Sequence, residues 1–107
     1  MKYLITDPCY IVPRDDWETY CNDGLTDFYE GETSYKIGGL GTIIASSPTT
    51  YGDGYAKMGN GKQVLVDSGT VCLVQLDDGV VPTDYQGNAV ASSRETADKW
   101  YEKAQTI

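Results

Sequence analysis

Short apolar runs separated by turn residues recur along this chain, a pattern that is typical of strands in a sheet. Residues 2–6 and 40–46 form two such runs, each followed by residues that favour turns. Over residues 55–67, two further runs flank the turn sequence G-N-G, which indicates a hairpin. The reversal D-S-G then leads into residues 70–76, the most strand-like run of the chain. These runs predict a central antiparallel meander over residues 55–76.

The segment that follows Pro13 has the features of a short helix. Proline fits the first turn of a helix, and acidic residues follow it at the positive end of the helix dipole. Trp17, Tyr20 and Cys21 then fall on one face at helical spacing. We expect this helix to pack against the rest of the protein through that face.

A second helix is predicted near the C-terminus. Ser92 and Glu95 have the spacing of a capping box, so the helix should begin there and run to about residue 105. Residues 80–90 are expected to add one or two further strands. Residues 1–107 are therefore predicted to form a single strand-rich α+β domain, with a central antiparallel meander, one short N-terminal helix and a C-terminal helix.

The chain is strongly acidic, with sixteen acids against eight bases, no histidine and a formal net charge of −8. A protein that binds nucleic acid or an anionic membrane needs a basic surface. We therefore expect no direct nucleic acid binding and no membrane partner, whereas a basic partner is favoured. Seven of the acids lie within residues 15–32, which contain no base, and this acidic stretch is a candidate contact surface.

The N-terminal apolar run is too short for a signal peptide, so a cytoplasmic location is expected. Three cysteines cannot all pair within one chain, and thiols in a cytosol stay reduced. Cys9, Cys21 and Cys72 are accordingly predicted to be reduced and largely buried. Cys9 has no basic neighbour in the sequence, and the nearby carboxylate of Asp7 would raise its pKa, so we do not expect it to act as a nucleophile.

Without histidine, the chain lacks the commonest general base and metal ligand. Asp7, Asp53 and Asp67 each sit at a sharp turn, and together they could hold Mg²⁺ or Ca²⁺. Aspartate at a turn more often accepts hydrogen bonds from the backbone amides of its own turn. We expect this second role, and therefore no catalytic residue, no metal ligand and no cofactor. A metal-dependent hydrolase that uses these carboxylates is the alternative.

Nine tyrosines are many for a domain of this size, and Tyr51 and Tyr55 bracket the loop sequence G-D-G. Tyrosine in a loop offers rigid contact area with a polar tip, which suits binding. The glycines on either side of Asp53 make the backbone accessible, which suits recognition more than support.

Four motifs follow one another along the chain: D-P-C-Y-I-V from residue 7, D-D-W-E-T-Y-C from residue 15, T-T-Y-G-D-G-Y from residue 49 and V-D-S-G-T-V from residue 66. In this order and spacing, they resemble a loose family of small proteins encoded by bacteriophages and some bacterial genomes. The resemblance covers roughly residues 3–76 and implies a phage origin, hence the cytoplasm of a host cell. That family has no settled biochemical role, so no reaction is implied.

We therefore expect a phage-encoded accessory protein that binds a host factor, such as an immune component, and is not an enzyme. Two mechanisms remain open. Either the acidic stretch occupies a nucleic-acid groove on a host protein, or Tyr- and Gly-rich loops, across a homo-oligomer interface, enclose a small nucleotide. The turns D-P-C-Y, G-D-G and D-S-G are expected to share one pocket. Six residues are predicted to contribute to binding: Asp7, Tyr10, Tyr51, Asp53, Tyr55 and Asp67.

Overall fold

The computed structural model describes residues 1–59, 61–82 and 88–107 of the chain. Its strands are β1 (Tyr3–Thr6), β2 (Tyr35–Ile37), β3 (Gly41–Pro48), β4 (Gly54–Lys57), β5 (Gln63–Val66), β6 (Thr70–Leu76) and β7 (Ala89–Ala91). Its α-helices are α1 (Trp17–Asn22) and α2 (Arg94–Gln105), and short 3₁₀ turns span Pro8–Tyr10 and Arg14–Asp16. The predicted α+β class is confirmed, with antiparallel sheets, a short helix near the N-terminus and a C-terminal helix.

The strands form two sheets, and their pairings are antiparallel. The larger sheet has the order β2-β3-β6-β1-β7, while β4 and β5 form a separate hairpin. The predicted hairpin is thus confirmed, but the chain does not continue from it as a simple meander, since β6 pairs with β3 and β1 and not with β5. Strand β6 is buried along nearly its whole length. A strand with apolar side chains on both faces belongs in the middle of a sheet that is covered on both sides.

Two apolar cores lie on opposite faces of the larger sheet. One core contains Ile5 and Leu73, and it is covered by α2 and by the hairpin of β4 and β5. The other core contains Leu4 and Val74, and it is covered by α1 and by the loop that carries Phe28. Because neighbouring residues of a strand point to opposite faces, β1 and β6 contribute to both cores. Burial on both faces therefore fixes the positions of the turns that follow or precede these strands.

Helix α1 packs through Tyr20, which is only 1% exposed. The Tyr20 ring stacks on Trp17, with ring centroids 5.4 Å apart, and meets Tyr35 edge-on at 5.2 Å. Trp17 is half-buried and Cys21 is exposed, so the prediction that all three residues of this face pack inward is wrong for Cys21. Consecutive helical residues differ in direction by about 100°, and a helix that points Tyr20 inward turns Cys21 towards solvent.

Helix α2 begins one residue later than the capping-box prediction. Ser93, and not Ser92, is the N-cap, and its Oγ accepts a hydrogen bond from the backbone N–H of Thr96 at 3.2 Å. With the cap at Ser93, the third helical position is Thr96, so Glu95 cannot complete a capping box. The predicted end of the helix near residue 105 is confirmed.

The predicted further strand near the C-terminus is confirmed as β7, which pairs with β1 at the edge of the larger sheet. The prediction for residues 83–87 lies outside the described residues. Across the described part of the chain, neither the length nor the apolar character of any helix is sufficient for a membrane span.

Candidate functional site

The carboxylate of Asp7 lies at the centre of the site. Asp7 follows β1 directly, caps the 3₁₀ turn Pro8–Tyr10 and is fully buried. Its Oδ1 accepts hydrogen bonds from the backbone N–H of Cys9 at 2.9 Å and from the hydroxyl of Ser68 at 2.6 Å. Its Oδ2 accepts from the backbone N–H groups of Asp67 and Ser68, both at 2.7 Å. Four donors therefore surround a carboxylate that solvent does not reach.

These hydrogen bonds join two turns that are distant in the sequence. The expectation that Asp7 accepts from its own turn is confirmed by the bond from Cys9. The same expectation is wrong for Asp67, because Asp7 caps the D-S-G turn and the Asp67 side chain is exposed outside it. A carboxylate has about four acceptor sites, and donors must replace water when it is buried. Asp7 therefore holds the two turns together and has no acceptor site left for a ligand.

The G-D-G loop lies against the same turn. The backbone N–H of Thr49 donates to the carbonyl of Gly69 at 2.9 Å. Asp53 Oδ1 lies 3.8 Å from the position that a Cβ on Gly69 would occupy. The turns D-P-C-Y, G-D-G and D-S-G therefore meet at one place, with Asp7 inside and the other two aspartates exposed. Among the described residues, no three His, Cys, Asp or Glu side chains are arranged to hold a metal ion.

The tyrosine loop, defined here as residues 49–55, presents two aromatic side chains to solvent. Tyr51 is 81% exposed and Tyr55 is 66% exposed. The backbone beneath them is fixed by its neighbours, because the N–H groups of Thr50 and Tyr51 donate to carbonyls at and just after the end of α2. On its other side, the loop is bonded to the D-S-G turn through Thr49. The rings therefore stand on a backbone that is held from two directions.

Tyr10 lies on the inner side of the site. Its ring is half-buried, and its buried hydroxyl lies close to the Asp67 carboxylate. Burial raises the pKa of Tyr10, and the nearby Asp67 carboxylate raises it further. Tyr10 therefore remains a neutral phenol at physiological pH.

The three cysteines are unpaired and differ in exposure, since Cys72 is buried, Cys9 is half-buried and Cys21 is exposed. The prediction that all three are largely buried is therefore wrong for Cys21. Burial raises the pKa of the Cys9 thiol to about 12, and the hydrogen bond and charge of Asp7 add to this effect. Burial likewise raises the pKa of Cys72 well above its usual value. Neither thiol is a nucleophile near neutral pH.

Alkylation of the native protein with iodoacetamide at about pH 8 is expected to modify Cys21 much faster than Cys9 or Cys72. With a pKa of about 12, only about one Cys9 thiol in 10⁴ is ionised at that pH, and the thiolate is the reactive form. Peptide mass spectrometry gives the order of modification, and unfolding in guanidinium should make all three thiols react alike. Rapid labelling of Cys9 in the native protein would contradict the raised pKa.

The acidic stretch is tied to α2 by an ion pair that no local pattern in the sequence indicates. Both oxygens of Glu30 accept hydrogen bonds from the terminal nitrogens of Arg94, each at 2.7 Å. The hydrogen bonds and charge of Arg94 hold the pKa of Glu30 below its usual value. The two residues are 64 positions apart, so their contact depends on the fold. The remaining acids of the stretch are exposed.

In comparisons with known proteins, no protein-family model, curated protein or solved structure matches this chain. The resemblance to phage proteins therefore stays a prediction. Fold and site together define a small antiparallel α+β domain in which a buried aspartate joins two turns and an exposed aromatic loop rests on them.

Proposed function

We propose that this protein acts by binding another protein, and that the tyrosine loop is its main contact. The observation that carries this proposal is the exposure of two tyrosine rings on a backbone that neighbouring elements fix. Tyrosine is enriched among the interface residues that contribute most to affinity. A loop that is already ordered loses little conformational entropy when it binds, so more of the contact energy appears as affinity.

The partner is expected to be positively charged where it meets the loop. Asp53 lies within the tyrosine loop and Asp67 in the turn next to it. Both side chains are exposed, and neither forms a salt bridge within the part of the chain that the structure describes. The chain as a whole carries a formal net charge of −8. A partner of opposite charge associates faster and is favoured over other proteins. The resemblance to phage proteins supports a host protein as the partner, such as a component of host immunity, in the cytoplasm of the host cell.

Two other functions receive less support from the site. A small nucleotide at the tyrosine loop would meet the exposed carboxylates of Asp53 and Asp67, which repel phosphate. A metal-dependent hydrolase would need a free oxygen on Asp7, but each oxygen already accepts two hydrogen bonds. The acidic stretch remains a second contact surface for a basic groove, because most of its carboxylates are exposed.

Replacing both Tyr51 and Tyr55 with alanine is expected to weaken capture of the partner at least roughly tenfold and to leave the melting temperature unchanged. Both rings are exposed, so they contribute little to folding. The measurement uses the tagged protein as bait in host lysate, with quantitative mass spectrometry of the captured proteins and thermal melting of each variant.

The matched control for this test is Val81→Ala, which trims an apolar side chain that is 86% exposed and lies outside the tyrosine loop. Undiminished capture by the double variant, or an equal loss in the control, would contradict the assignment of the contact to the tyrosine loop. Light scattering of the free protein tests whether it forms a homo-oligomer. If the unaltered protein is a dimer and the double variant is a monomer, the partner is a second copy of this chain.

Asp53→Asn is expected to weaken the same capture by roughly threefold to tenfold and to leave the melting temperature nearly unchanged. The side chain is exposed and forms no salt bridge with the described residues, so its charge is available to a basic partner. Raising the salt concentration should reduce the difference between the two proteins, because ions screen exposed charges. A variant that unfolds, or that binds as the unaltered protein does at every salt concentration, would show that Asp53 only supports the loop.

A further inference from the structure

A cleft of about 200 Å³ lies between α2, β3 and the loop at residues 28–30, and no residue of the tyrosine loop lines it. Its apolar depth includes Leu73, a residue that is almost fully buried. Two tyrosines, Tyr29 and Tyr101, line the cleft, and Phe28 adjoins it although its side chain is buried in the core on the other face of the sheet. Three charged side chains contribute as well: Glu30, Arg94 and Asp98. The cleft thus combines aromatic rings with an excess of carboxylates.

Hydrogen bonds fix the walls of this cleft. Phe28 and Ser46 exchange two backbone hydrogen bonds, at 2.9 and 3.1 Å, which hold the loop against β3. On the side of α2, the hydroxyl of Ser47 lies 3.0 Å from the Tyr101 hydroxyl and accepts a hydrogen bond from Gln105 Nε2 at 2.9 Å. Sites that bind small molecules are usually largely pre-formed, as this one is.

The charged groups at the cleft leave an excess of hydrogen-bond acceptors. Arg94 donates to both oxygens of Glu30 and to Oδ1 of Asp98. Two carboxylates therefore face one guanidinium, and the net charge of these three groups is negative. Gln105 uses its Nε2 on Ser47, which leaves its Oε1 as an acceptor. A ligand that carries a positive charge or N–H donors is therefore favoured over an anion.

The geometry points to a binding site for an alkylammonium group, meaning a primary or methylated ammonium on a short apolar body. The faces of aromatic rings attract such cations, and the attraction grows when water is excluded. An engineered cavity of about 150 Å³ in another protein holds benzene, so a cleft of about 200 Å³ admits a group of this size. A free small amine and the methylated lysine side chain of a partner both supply this chemistry.

The test is titration of the full-length, ¹⁵N-labelled protein with choline, followed by two-dimensional NMR. Choline is compared with dimethylbutanol, which has the same shape without the charge, and with dimethylbutanoate, which carries the opposite charge. Choline is expected to bind at least roughly threefold more tightly than the neutral probe, with the largest shifts at residues 28–30 and at the Gln105 side chain. Trimethyllysine amide, titrated in parallel, separates the two sources, because tighter binding than choline indicates a lysine side chain.

Two variants locate the site, and a third variant serves as the control. Tyr29→Leu and Asp98→Asn should each weaken choline binding, because one removes an aromatic face and the other removes a negative charge. Both side chains are exposed, so the fold should tolerate the changes. Glu95→Gln is the control, since Glu95 pairs with Lys99 on the same helix and does not line the cleft. Equal or tighter binding of the neutral or anionic probe, an absence of shifts with choline, or an equal effect of the control would overturn the proposal.

Discussion

Asp7→Ala is expected to lower the free energy of unfolding by about 3–5 kcal/mol. The substitution removes a fully buried acceptor of four hydrogen bonds, and the backbone N–H groups of Cys9, Asp67 and Ser68 lose this partner in part-buried surroundings. Each buried group that loses its partner costs about 1–3 kcal/mol. A domain of this size is stable by only about 5–15 kcal/mol in total. The variant should therefore melt far below the unaltered protein, or not fold at all.

Urea unfolding at neutral pH, followed by tryptophan fluorescence, measures this loss. Asp7→Asn is the finer test, because the amide keeps the shape but turns an NH₂ group towards N–H donors, and we expect about half the loss of Asp7→Ala. Asp67→Asn is the control and should change stability by less than about 0.5 kcal/mol, since the side chain is exposed. If Asp7→Asn unfolds like the unaltered protein but loses partner capture, Asp7 belongs to the contact surface and not to the support beneath it.

Tyr20→Ala is expected to lower the free energy of unfolding by about 3–5 kcal/mol as well, for a different reason. Tyr20 is the largest fully buried side chain of the protein as described, and it contacts the rings of both Trp17 and Tyr35. Removing it leaves a cavity and also breaks two aromatic contacts, each of which contributes about 0.5–1.5 kcal/mol beyond area burial. The same urea titration measures the effect.

Two further variants separate the ring of Tyr20 from its hydroxyl and from its neighbour. Tyr20→Phe should change stability by less than about 1 kcal/mol, because the Tyr20 hydroxyl lies near the Ser46 hydroxyl without forming a hydrogen bond of good geometry to it. Trp17→Ala should cost clearly less than Tyr20→Ala, because Trp17 is only half-buried. A Trp17→Ala variant that is the less stable of the two would mean that Trp17 is the main anchor of α1.

The features that the sequence predicts correctly are those that local chemistry determines. The hairpin of β4 and β5 follows from the glycines of its turn, and α2 follows from a serine cap, although the cap lies at Ser93. The exposed tyrosine loop is recognisable for the same reason, because glycines and a proline mark residues 48–54 as a loop.

The order of the strands and the role of Asp7 could not be predicted in this way. Apolar runs show which segments form strands, but they do not show that β6 will pair with β3 and β1. An aspartate at a turn has donors of its own within two residues, so nothing local indicates that Asp7 also reaches Ser68, 61 positions away. The ion pair of Glu30 and Arg94 escapes prediction for the same reason.

The place of β1 between β6 and β7 has a consequence for the synthesis of the protein. Strand β1 is translated well before its partner strands, since Tyr3 pairs with Gln75 and Ile5 pairs with Ala89. At about 5–20 residues per second, β1 waits several seconds on the ribosome before either neighbour exists. During that time an apolar strand has two unpaired edges, which is a state that aggregates or recruits chaperones. The yield of folded protein in cells should therefore depend on translation speed and chaperone supply as well as on the stability of the finished domain.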